Sequence, residues 1–453
     1  MTAIYNPADP RYLDSSDLAS ETERVFEICH GCRLCFNLCP SFKTLFDSID
    51  AQDGKVAAIG EVAKQRVVDE CYQCKLCYLK CPYIPPHEWE LDFPRLMMRH
   101  HAQRHAQPVK GILALKERLT NQVLGQTDLV GKAAVALEPL SNTLIGKPGS
   151  LPRRIMEKAS GIAEHRLLPP YAKQRFTTWY RRRMPTQIRD PQGVVAVFPT
   201  CFIEYMNPAI GKALVAVYER NRISCSLPVG TRCCGAPFLH SGDIDRFIRS
   251  AKRNVASLAP LVRGGADVIV AQPTCAYVLR KDYPLYLDSQ DARTVAEHTY
   301  DSSEYLMRLR SDDSKELDTE FKGEVPESIS YHVACHLKAQ GIGIKGRDLL
   351  KLTGAKVQLV QECSGIDGTW GYRSENYELS RQVAQPLKKA VELSIAQAQA
   401  DQVGAGRNSG GHVLCGDCHL ANTAIEQETG NKPMHPMQVL AKAYGIKEVP
   451  SGS

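Results

Sequence analysis

The sequence predicts a multidomain α+β protein: a helical domain that holds two four-thiolate clusters, followed by a duplicated α/β domain rich in cysteine. Two observations predict the first part. The pattern C-x2-C-x2-C-x3-C-P occurs at residues 29–40 and again at 71–82, and the surrounding residues have helical periodicity. A third observation predicts the rest, because β-branched runs that end in cysteine alternate with helical stretches from residue 193 onwards.

Residues 1–105 are expected to form the helical domain. Near its start, SSDLASETERVFEI places serine before a first turn that contains glutamate, which is the pattern of a helix N-terminus. Between the two cysteine runs, GKVAAIGEVAKQRVVDE has apolar residues at helical rather than alternating spacing. The sequence therefore predicts that both clusters lie among helices.

The spacing of the eight amino-terminal cysteines is typical of two [4Fe–4S] cubanes. Three cysteines of each run wrap one face of a cluster, and the fourth, followed by proline, reaches the other cluster in two-cluster ferredoxins. One cluster is thus expected to take Cys29, Cys32, Cys35 and Cys81, and the other Cys71, Cys74, Cys77 and Cys39. A pair of zinc sites would require neither the triple spacing nor Pro40 and Pro82. We expect this domain to pass single electrons and to offer no substrate pocket.

Residues 106–192 are predicted to be a helical linker, because Leu, Met, Arg and Gln recur at helical spacing between prolines. From residue 193, GVVAVFPTC and ADVIVAQPTC predict strands, with a helix in DRFIRSAKRNVASLAPLV between them. SISYHVACHL, AQPLKKAVELSIAQAQA and GHVLCGDC repeat this order. We therefore expect two cysteine-rich α/β domains, at 193–310 and 328–450, that look like an internal duplication.

Eight of the other nine cysteines fall into two sets at matching places in these halves. The first set is Cys201, Cys233, Cys234 and Cys275, and the second is Cys335, Cys363, Cys415 and Cys418. In a loop that contains Gly235, two adjacent cysteines can turn toward one metal centre, whereas in a strand they would point to opposite faces. One or two further iron–sulfur clusters are expected, with the second set as the exit or reaction site. Cys225 lies outside both sets and is interpreted as a small buried hydrophobe.

Several segments resemble a known family. TCFIEYMNPAIGKAL, TRCCGAP, PTCAYVLRKDYP, YHVACHLKAQGIG, CSGIDGTWGYRSENY and HPMQVL are similar to the doubled Cys-Cys-Gly domains of a family of iron–sulfur oxidoreductase subunits. That family includes the iron–sulfur subunit of anaerobic glycerol-3-phosphate dehydrogenase, which the chain resembles most, the glycolate oxidase iron–sulfur subunit and the catalytic subunits of heterodisulfide reductase. The resemblance implies that the Cys-Cys-Gly cysteines hold noncubane [4Fe–4S] centres, which cleave a disulfide in heterodisulfide reductases.

The chain departs from the family pattern at two positions. Val278 stands where the full motif has its second cysteine in C-A-Y-V, and Ser364 replaces one of the paired cysteines after Cys363. Asp367 and Asp417 are candidate oxygen ligands or proton carriers, with solvated loop acids as the alternative. The histidines near the ligand cysteines, His332, His336, His419 and His435, are expected to donate hydrogen bonds to ligands rather than to bind metal. His100, His101 and His105 are expected on an exposed helix face.

Composition limits the compartment and the partners. The net charge of +6 is spread along the chain, so nucleic acid is not an expected partner. The start lacks the pattern of a signal peptide, and an odd number of cysteines at C-x2-C spacing suits metal binding in a reducing compartment. We expect a cytoplasmic protein, with peripheral association at the inner face of the membrane as a further hypothesis.

No flavin or nicotinamide site of its own is expected. The one Gly-rich segment, GAGRNSGG at 404–411, follows a helix and precedes a strand, which is the reverse of a dinucleotide-binding turn. Electrons must then arrive from, or leave to, a redox partner protein, either flavin dehydrogenase-like or diiron. The leading hypothesis is an electron-transfer subunit that relays electrons to a quinone-side or thiol acceptor. The alternatives are a heterodisulfide-reductase-like disulfide reductase and an electron donor to a rubrerythrin-like diiron protein.

Overall fold

The structure is a computed structural model that describes residues 5–184, 186–405 and 411–447. The outermost residues of the predicted domains 1–105 and 328–450, one position of the predicted linker and residues 406–410 of the Gly-rich segment lie outside the described residues. The architecture combines helices with two parallel sheets. The predicted domain boundaries themselves stay a prediction.

The amino-terminal part is helical and surrounds an aromatic core. Its helices are α1 (Ser15–Cys32), α2 (Pro40–Asp50), α3 (Glu61–Asp69), α4 (Leu76–Lys80) and α5 (Phe93–Ala106). Phe26, Phe42 and Phe93 are buried where these helices meet, and the Phe42 and Phe93 rings lie 4.5 Å apart. Helix α2 begins at Pro40 because proline has no N–H to satisfy and its φ already suits a helix. Cys39 is therefore fixed at the start of α2.

The middle part is also helical and packs on both sheets. Its helices are α6 (Gly111–Gly125), α7 (Thr127–Ala136), α8 (Glu138–Ile145), α9 (Leu151–Ser160) and α10 (Phe176–Arg182). Phe176 is fully buried against the first sheet's core. On the other side, the amide of Ala163 donates to the carbonyl of Tyr372 at 2.9 Å. The predicted linker is thus a docked set of helices.

The third part contains a four-stranded parallel sheet in the order β2-β1-β3-β4. The strands are β1 (Gly193–Val197), β2 (Ile223–Ser226), β3 (Asp267–Val270) and β4 (Thr299–Asp301). Helices cover it: α11 (Cys201–Tyr205), α12 (Pro208–Arg220), α13 (Ala236–His240), α14 (Ile244–Arg263), α15 (Pro273–Tyr277), α16 (Tyr283–Leu287), α17 (Gln290–Glu297) and α18 (Ser302–Arg310). In the register, Val195 lies opposite Cys225 and Asp267.

The last part contains a three-stranded parallel sheet in the order β6-β5-β7. Its elements are β5 (Ser328–His332), α19 (Cys335–Ala339), α20 (Lys345–Lys351), β6 (Lys356–Val360), α21 (Tyr377–Ala405), β7 (His412–Gly416), α22 (His419–Thr429) and α23 (Pro436–Ala443). In both sheets the first strand in sequence lies between the second and the third, as β1 lies between β2 and β3 and β5 between β6 and β7. Descent of the two halves from one duplicated unit stays a prediction. Met437 and Leu440 of α23 join the core of the first sheet, so the halves share one apolar interior.

Parallel strands deliver the cysteines to one edge of each sheet. Cys201, Cys275, Cys335, Cys363 and Cys418 each follow the carboxyl end of a strand within five residues. In parallel α/β sheets this edge is where ligands bind. Cys415 differs from these because it lies inside β7.

Among residues 5–184, 186–405 and 411–447, the structure contains no helix whose length and apolar character suit a membrane crossing.

Candidate metal centres and internal cavity

The first amino-terminal set of cysteines lies close to the surface. Cys29, Cys32, Cys35 and Cys81 line one small cavity of about 30 Å³, and Cys77 of the second run lines it as well, together with phenylalanine and leucine side chains. Burial, and next the neighbouring thiol of Cys35, raise the pKa of Cys29. Burial and then Cys81 raise the pKa of Cys35 to about 11. Four thiols that face one apolar space are a donor set that fits an iron–sulfur cluster.

The second set lies deeper. Cys74 and Cys77 are each 8% exposed, and burial raises the pKa of both thiols. The nearby thiols of Cys74, Cys71 and Cys39 raise the pKa of Cys77 further, in that order of size. Cys39 from the first run thus lies with three cysteines of the second run, and Cys81 lies with the first run. The assignment of these eight thiols as cluster ligands stays a prediction.

A third group of thiols lies at the edge of the first sheet. Cys201, Cys233, Cys234 and Cys275 are neighbours, and hydrogen bonds from the Cys201 and Cys234 thiols hold the pKa of Cys233 well below its ordinary value. Gly235 supports this loop with φ of +92°, a left-handed conformation that favours glycine. Val278, which stands where the full motif has its second cysteine, is 1% exposed and packs in the apolar core.

A cavity of about 640 Å³ lies between the helical amino-terminal part and the second sheet. Cys335, Cys363 and Cys418 line it from the second half, together with Ser364 and Asp367. Cys39 lines its opposite wall. Burial raises the pKa of all three second-half thiols, to about 11 for Cys418. This volume is within the range of about 300–1,000 Å³ that holds small ligands.

The fourth cysteine of the second set does not reach this cavity. Cys415 is fully buried on β7, where it belongs to the apolar cluster around Ile329 and Tyr331. Asp417 is also fully buried and accepts a hydrogen bond from the Tyr331 hydroxyl. Asp417 is therefore neither a solvated loop acid nor part of the cavity lining. The ligand role predicted for Cys415 stays a prediction.

Tyr72 and Trp370 join the second amino-terminal site to the cavity. The Tyr72 hydroxyl lies 3.4 Å from Cys363 Sγ, and its ring centre lies 5.0 Å from that of Trp370. The Trp370 Nε1–H donates to the carbonyl of Asp69 at 2.7 Å. Burial first, and then Cys39 and Cys363, raise the pKa of Cys74, which shows that these thiols are neighbours.

The histidines occupy different environments. His336 is 2% exposed, and its Nδ1 lies 3.2 Å from Thr274 Oγ1 and 3.9 Å from Cys335 Sγ. His332 Nε2 lies 3.1 Å from the Glu362 carbonyl. The imidazole of His419 stacks on Phe202 at 4.2 Å, and His435 caps α23 through its Nδ1.

The exposed face predicted for the histidines of α5 is wrong. His100, His101 and His105 are all half-buried, and His100 Nε2 lies 2.8 Å from Thr22 Oγ1. These side chains are partly covered because α5 packs against α1 and against the turn at Gly242. Cys225 is also only partly buried, because it lies on the edge strand β2.

Three polar residues that the sequence analysis missed contact the thiol sites. Asp128 of α7 accepts from the Cys233 amide at 2.9 Å and from the Tyr205 hydroxyl at 3.0 Å. Gln272 Nε2 donates to Cys418 Sγ at 3.5 Å. Lys75, 3% exposed, donates to Gln73 Oε1 beside the second set. Of these three residues, only Lys75 could have been found from the sequence, because it lies between Cys74 and Cys77.

Comparison with known proteins gives family matches to the helical amino-terminal part and to the first α/β half. Residues 195–280 match a family model described as a cysteine-rich domain, CCG, and residues 22–107 match the Fer4-like domain of citrate utilization protein B. The chain is 30% identical over 329 residues to one subunit of the anaerobic glycerol-3-phosphate dehydrogenase of Escherichia coli (strain K12). That alignment covers 72% of this chain and 77% of the relative.

Two further relatives carry other names. The chain is 26% identical over 264 residues to one subunit of the fumarate reductase (CoM/CoB) of Methanothermobacter marburgensis, which covers 56% of this chain and 47% of the relative. It is 26% identical over 214 residues to lactate utilization protein A of Bacillus pumilus, which covers 45% of this chain and 84% of the relative. The names of the relatives thus refer to several different substrates.

Proposed function

The chain belongs to the family of the iron–sulfur subunit of anaerobic glycerol-3-phosphate dehydrogenase, and from this premise we propose that it is the iron–sulfur electron-transfer subunit of an oxidoreductase complex. Bound clusters supply one-electron transfer. The proposal rests chiefly on one observation: Cys39 of the second amino-terminal set and the thiols of the second half line the same cavity. This chain's residues would thus hold its redox centres close to one another and next to an open cavity.

The surface near the first site is suited to a redox partner. Three apolar side chains are exposed on or beside the two cysteine runs: Leu34 by 51%, Leu79 by 46% and Trp89 by 41%. Exposed apolar groups that lie together mark interaction surfaces. A partner that carries a flavin or a diiron centre would complete the two-electron chemistry for which this chain has no predicted cofactor.

The cavity is the proposed place of the acceptor. Leu379, Val383 and Pro386 of α21 form an apolar wall, while Lys338 places a half-buried ammonium on α19. Burial lowers the pKa of Lys338, and the nearby Cys335 thiol opposes that shift. Lys43 also lines the cavity, and an apolar wall with cationic groups beside it fits a quinone-sized ring or a small disulfide.

Disulfide reduction at this cavity is the second candidate function. It is favoured by the three thiols that line a space large enough for a small molecule. It is opposed by Ser364, which replaces one of the paired cysteines that the disulfide-cleaving relatives use. We therefore rank relay above disulfide chemistry.

Peripheral membrane association fits the surface of the middle helices. Ile112, Leu119, Leu140 and Ile155 are exposed by 47–84% on α6, α8 and α9. The exposed basic side chains of the same segment are Lys110, Lys116, Lys132, Lys147, Arg154 and Lys158, and its acidic side chains are only half-exposed. Apolar side chains beside lysines and arginines are the pattern by which helices lie on an anionic lipid surface.

The experiment compares Cys418→Ser with Cys225→Ala in anaerobically purified protein. Reduced protein is mixed with a water-soluble quinone or an aromatic disulfide, and its reoxidation is followed by absorbance. We expect Cys418→Ser to stop delivery to the acceptor while both amino-terminal clusters still give their reduced paramagnetic resonance signals. Cys225→Ala, which changes a thiol outside both cysteine sets and outside the cavity lining, should react like the wild type. Undiminished delivery by Cys418→Ser would refute the proposed path, and zinc at the amino-terminal thiols would refute the relay itself.

A further inference from the structure

The second half brings only three thiols to the cavity. Cys335, Cys363 and Cys418 line it, whereas Cys415 lies in the apolar core of β7. Iron–sulfur clusters take four protein ligands in the common case. A cluster at this place therefore needs a ligand that the cysteine pattern does not supply.

Asp367 lines the cavity beside these three thiols and is a candidate for the fourth ligand. Its Oδ2 is 3.6 Å from Cys335 Sγ and 3.5 Å from His336 Nδ1, and its side chain is 5% exposed. One group of three possible metal ligands is found among the residues that the structure describes. Its members are Cys335, His336 and Asp367, whose ligand atoms all lie within 4.8 Å of one another. The carboxylate also contributes to raising the pKa of the Cys363 and Cys418 thiols. One carboxylate thus has all three cavity thiols as neighbours.

The backbone fixes this carboxylate in the cavity wall. Gly365, two residues earlier, has φ of +65°, and a Cβ there would lie 2.2 Å from the Ser380 carbonyl of α21. Only glycine permits this approach of the loop to the helix. After Asp367, the Trp370 amide donates to the Asp367 carbonyl at 3.2 Å. The loop therefore holds Asp367 from both sides.

The other candidate ligands are weaker. Ser364 lines the cavity, but a hydroxyl is a poor iron ligand next to thiolates. His336 Nδ1 is within hydrogen-bond distance of Thr274 Oγ1, on the side of the first half. His336 is therefore better placed to orient the Asp367 carboxylate by a hydrogen bond than to bind iron itself.

We infer that Asp367 is the fourth protein ligand of an iron–sulfur centre held by Cys335, Cys363 and Cys418, in place of the thiolate that Ser364 does not provide. The inference rests on the proposed function, which places a centre at this cavity. A carboxylate is a harder and more readily exchanged ligand than a thiolate. The iron that it binds would be the one open to a molecule in the cavity.

The test uses the full chain, purified anaerobically with ⁵⁷Fe, and measures iron per chain together with Mössbauer and paramagnetic resonance spectra. Asp367→Ala is expected to lose one iron from this centre and to give a three-iron signal in the oxidised protein. Asp367→Cys is expected to keep the wild-type iron content and to change the spectrum of this centre alone. Glu362→Gln, which alters an exposed acid on the same cavity wall, is the matched control and should leave both unchanged.

The outcomes separate the two claims. If Asp367→Cys gives the wild-type spectra, the ligand assignment is wrong. This result is decisive even if Asp367→Ala does not fold. If Cys418→Ser changes the spectrum and Asp367→Ala does not, a centre exists but has another fourth ligand. If neither variant changes the iron content or spectrum, the cavity holds no centre, and both the inference and the acceptor end of the proposed function are wrong.

Discussion

Replacement of Trp370 tests whether the second amino-terminal site is fixed to the cavity as the structure shows. The indole is 9% exposed, donates to the Asp69 carbonyl at 2.7 Å and packs on Tyr72 with ring centres 5.0 Å apart. Trp370→Phe retains an aromatic ring and removes the hydrogen bond. Trp370→Ala removes the hydrogen bond, the aromatic pair and the buried surface.

The contacts set the size of the effect. Loss of one hydrogen bond costs about 0.5–1.5 kcal/mol, which is the loss expected for Trp370→Phe. Truncation of a buried tryptophan to alanine costs about 3–5 kcal/mol. Since 1 kcal/mol shifts Tm by roughly 2–4 °C in a unit of 150–250 residues, we expect decreases of about 1–6 °C for Trp370→Phe and about 6–20 °C for Trp370→Ala.

The assay is anaerobic thermal denaturation followed by visible absorbance, with all variants melted at one scan rate so that their apparent Tm values are comparable. The control is Trp179→Phe, since Trp179 stacks on Phe176 at 5.6 Å away from this contact. Magnetic coupling between the second amino-terminal cluster and the cavity centre is the second readout, and we expect it to weaken in Trp370→Ala only. Equal melting of Trp370→Ala and Trp179→Phe, with unchanged coupling, would refute the reasoning.

Acid stability and lipid binding provide two more tests. Burial lowers the pKa of His100 to about 4 from 6.5 in the unfolded chain, so the folded state binds fewer protons between these values and stability falls as pH decreases from 7.5 to 5. The expected loss of folding free energy at pH 5 is about 1–2 kcal/mol. In paired melts at pH 7.5 and pH 5, the decrease in Tm should be smaller for His100→Gln than for the wild type. An equal decrease in Tm would show that other groups cause the loss of stability in acid. In vesicle sedimentation, wild type should bind vesicles with anionic phospholipid and not neutral ones, and Ile112→Gln with Leu119→Gln should abolish this binding. Val229→Gln, at an equally exposed apolar position on the first α/β half, is the control, and binding that survives the double change would contradict the membrane surface.

The strand and helix types were largely predictable because their periodicity is strong. GVVAVFPTC, ADVIVAQPTC, SISYHVACHL and GHVLCGDC contain β1, β3, β5 and β7. The strands β2, β4 and β6 were not predicted. Strand β6 alternates exposed and half-buried residues, and β4 has three residues, so neither provides the apolar run that marks a central strand.

The candidate site was predictable only where sequence neighbours become spatial neighbours. Spacing indicates how Cys29, Cys32 and Cys35 come together, since they lie within one turn region. It does not indicate that Cys418 lines the cavity while Cys415 does not, because that depends on where β7 ends. Nor does it show that Cys39 faces Cys363, which lies more than three hundred residues later. Contacts of this kind depend on how the parts pack.

The position of Trp370 also constrains how the protein matures. Tyr72 and Cys74 are 4% and 8% exposed in the finished chain, and part of their cover comes from Trp370. A ribosome releases residue 82 long before residue 370, an interval of 288 residues, or roughly 15–60 s at about 5–20 residues per second. During that interval the second set of thiols exists on the nascent chain without its later cover. These thiols are therefore more accessible on the nascent chain than in the finished protein.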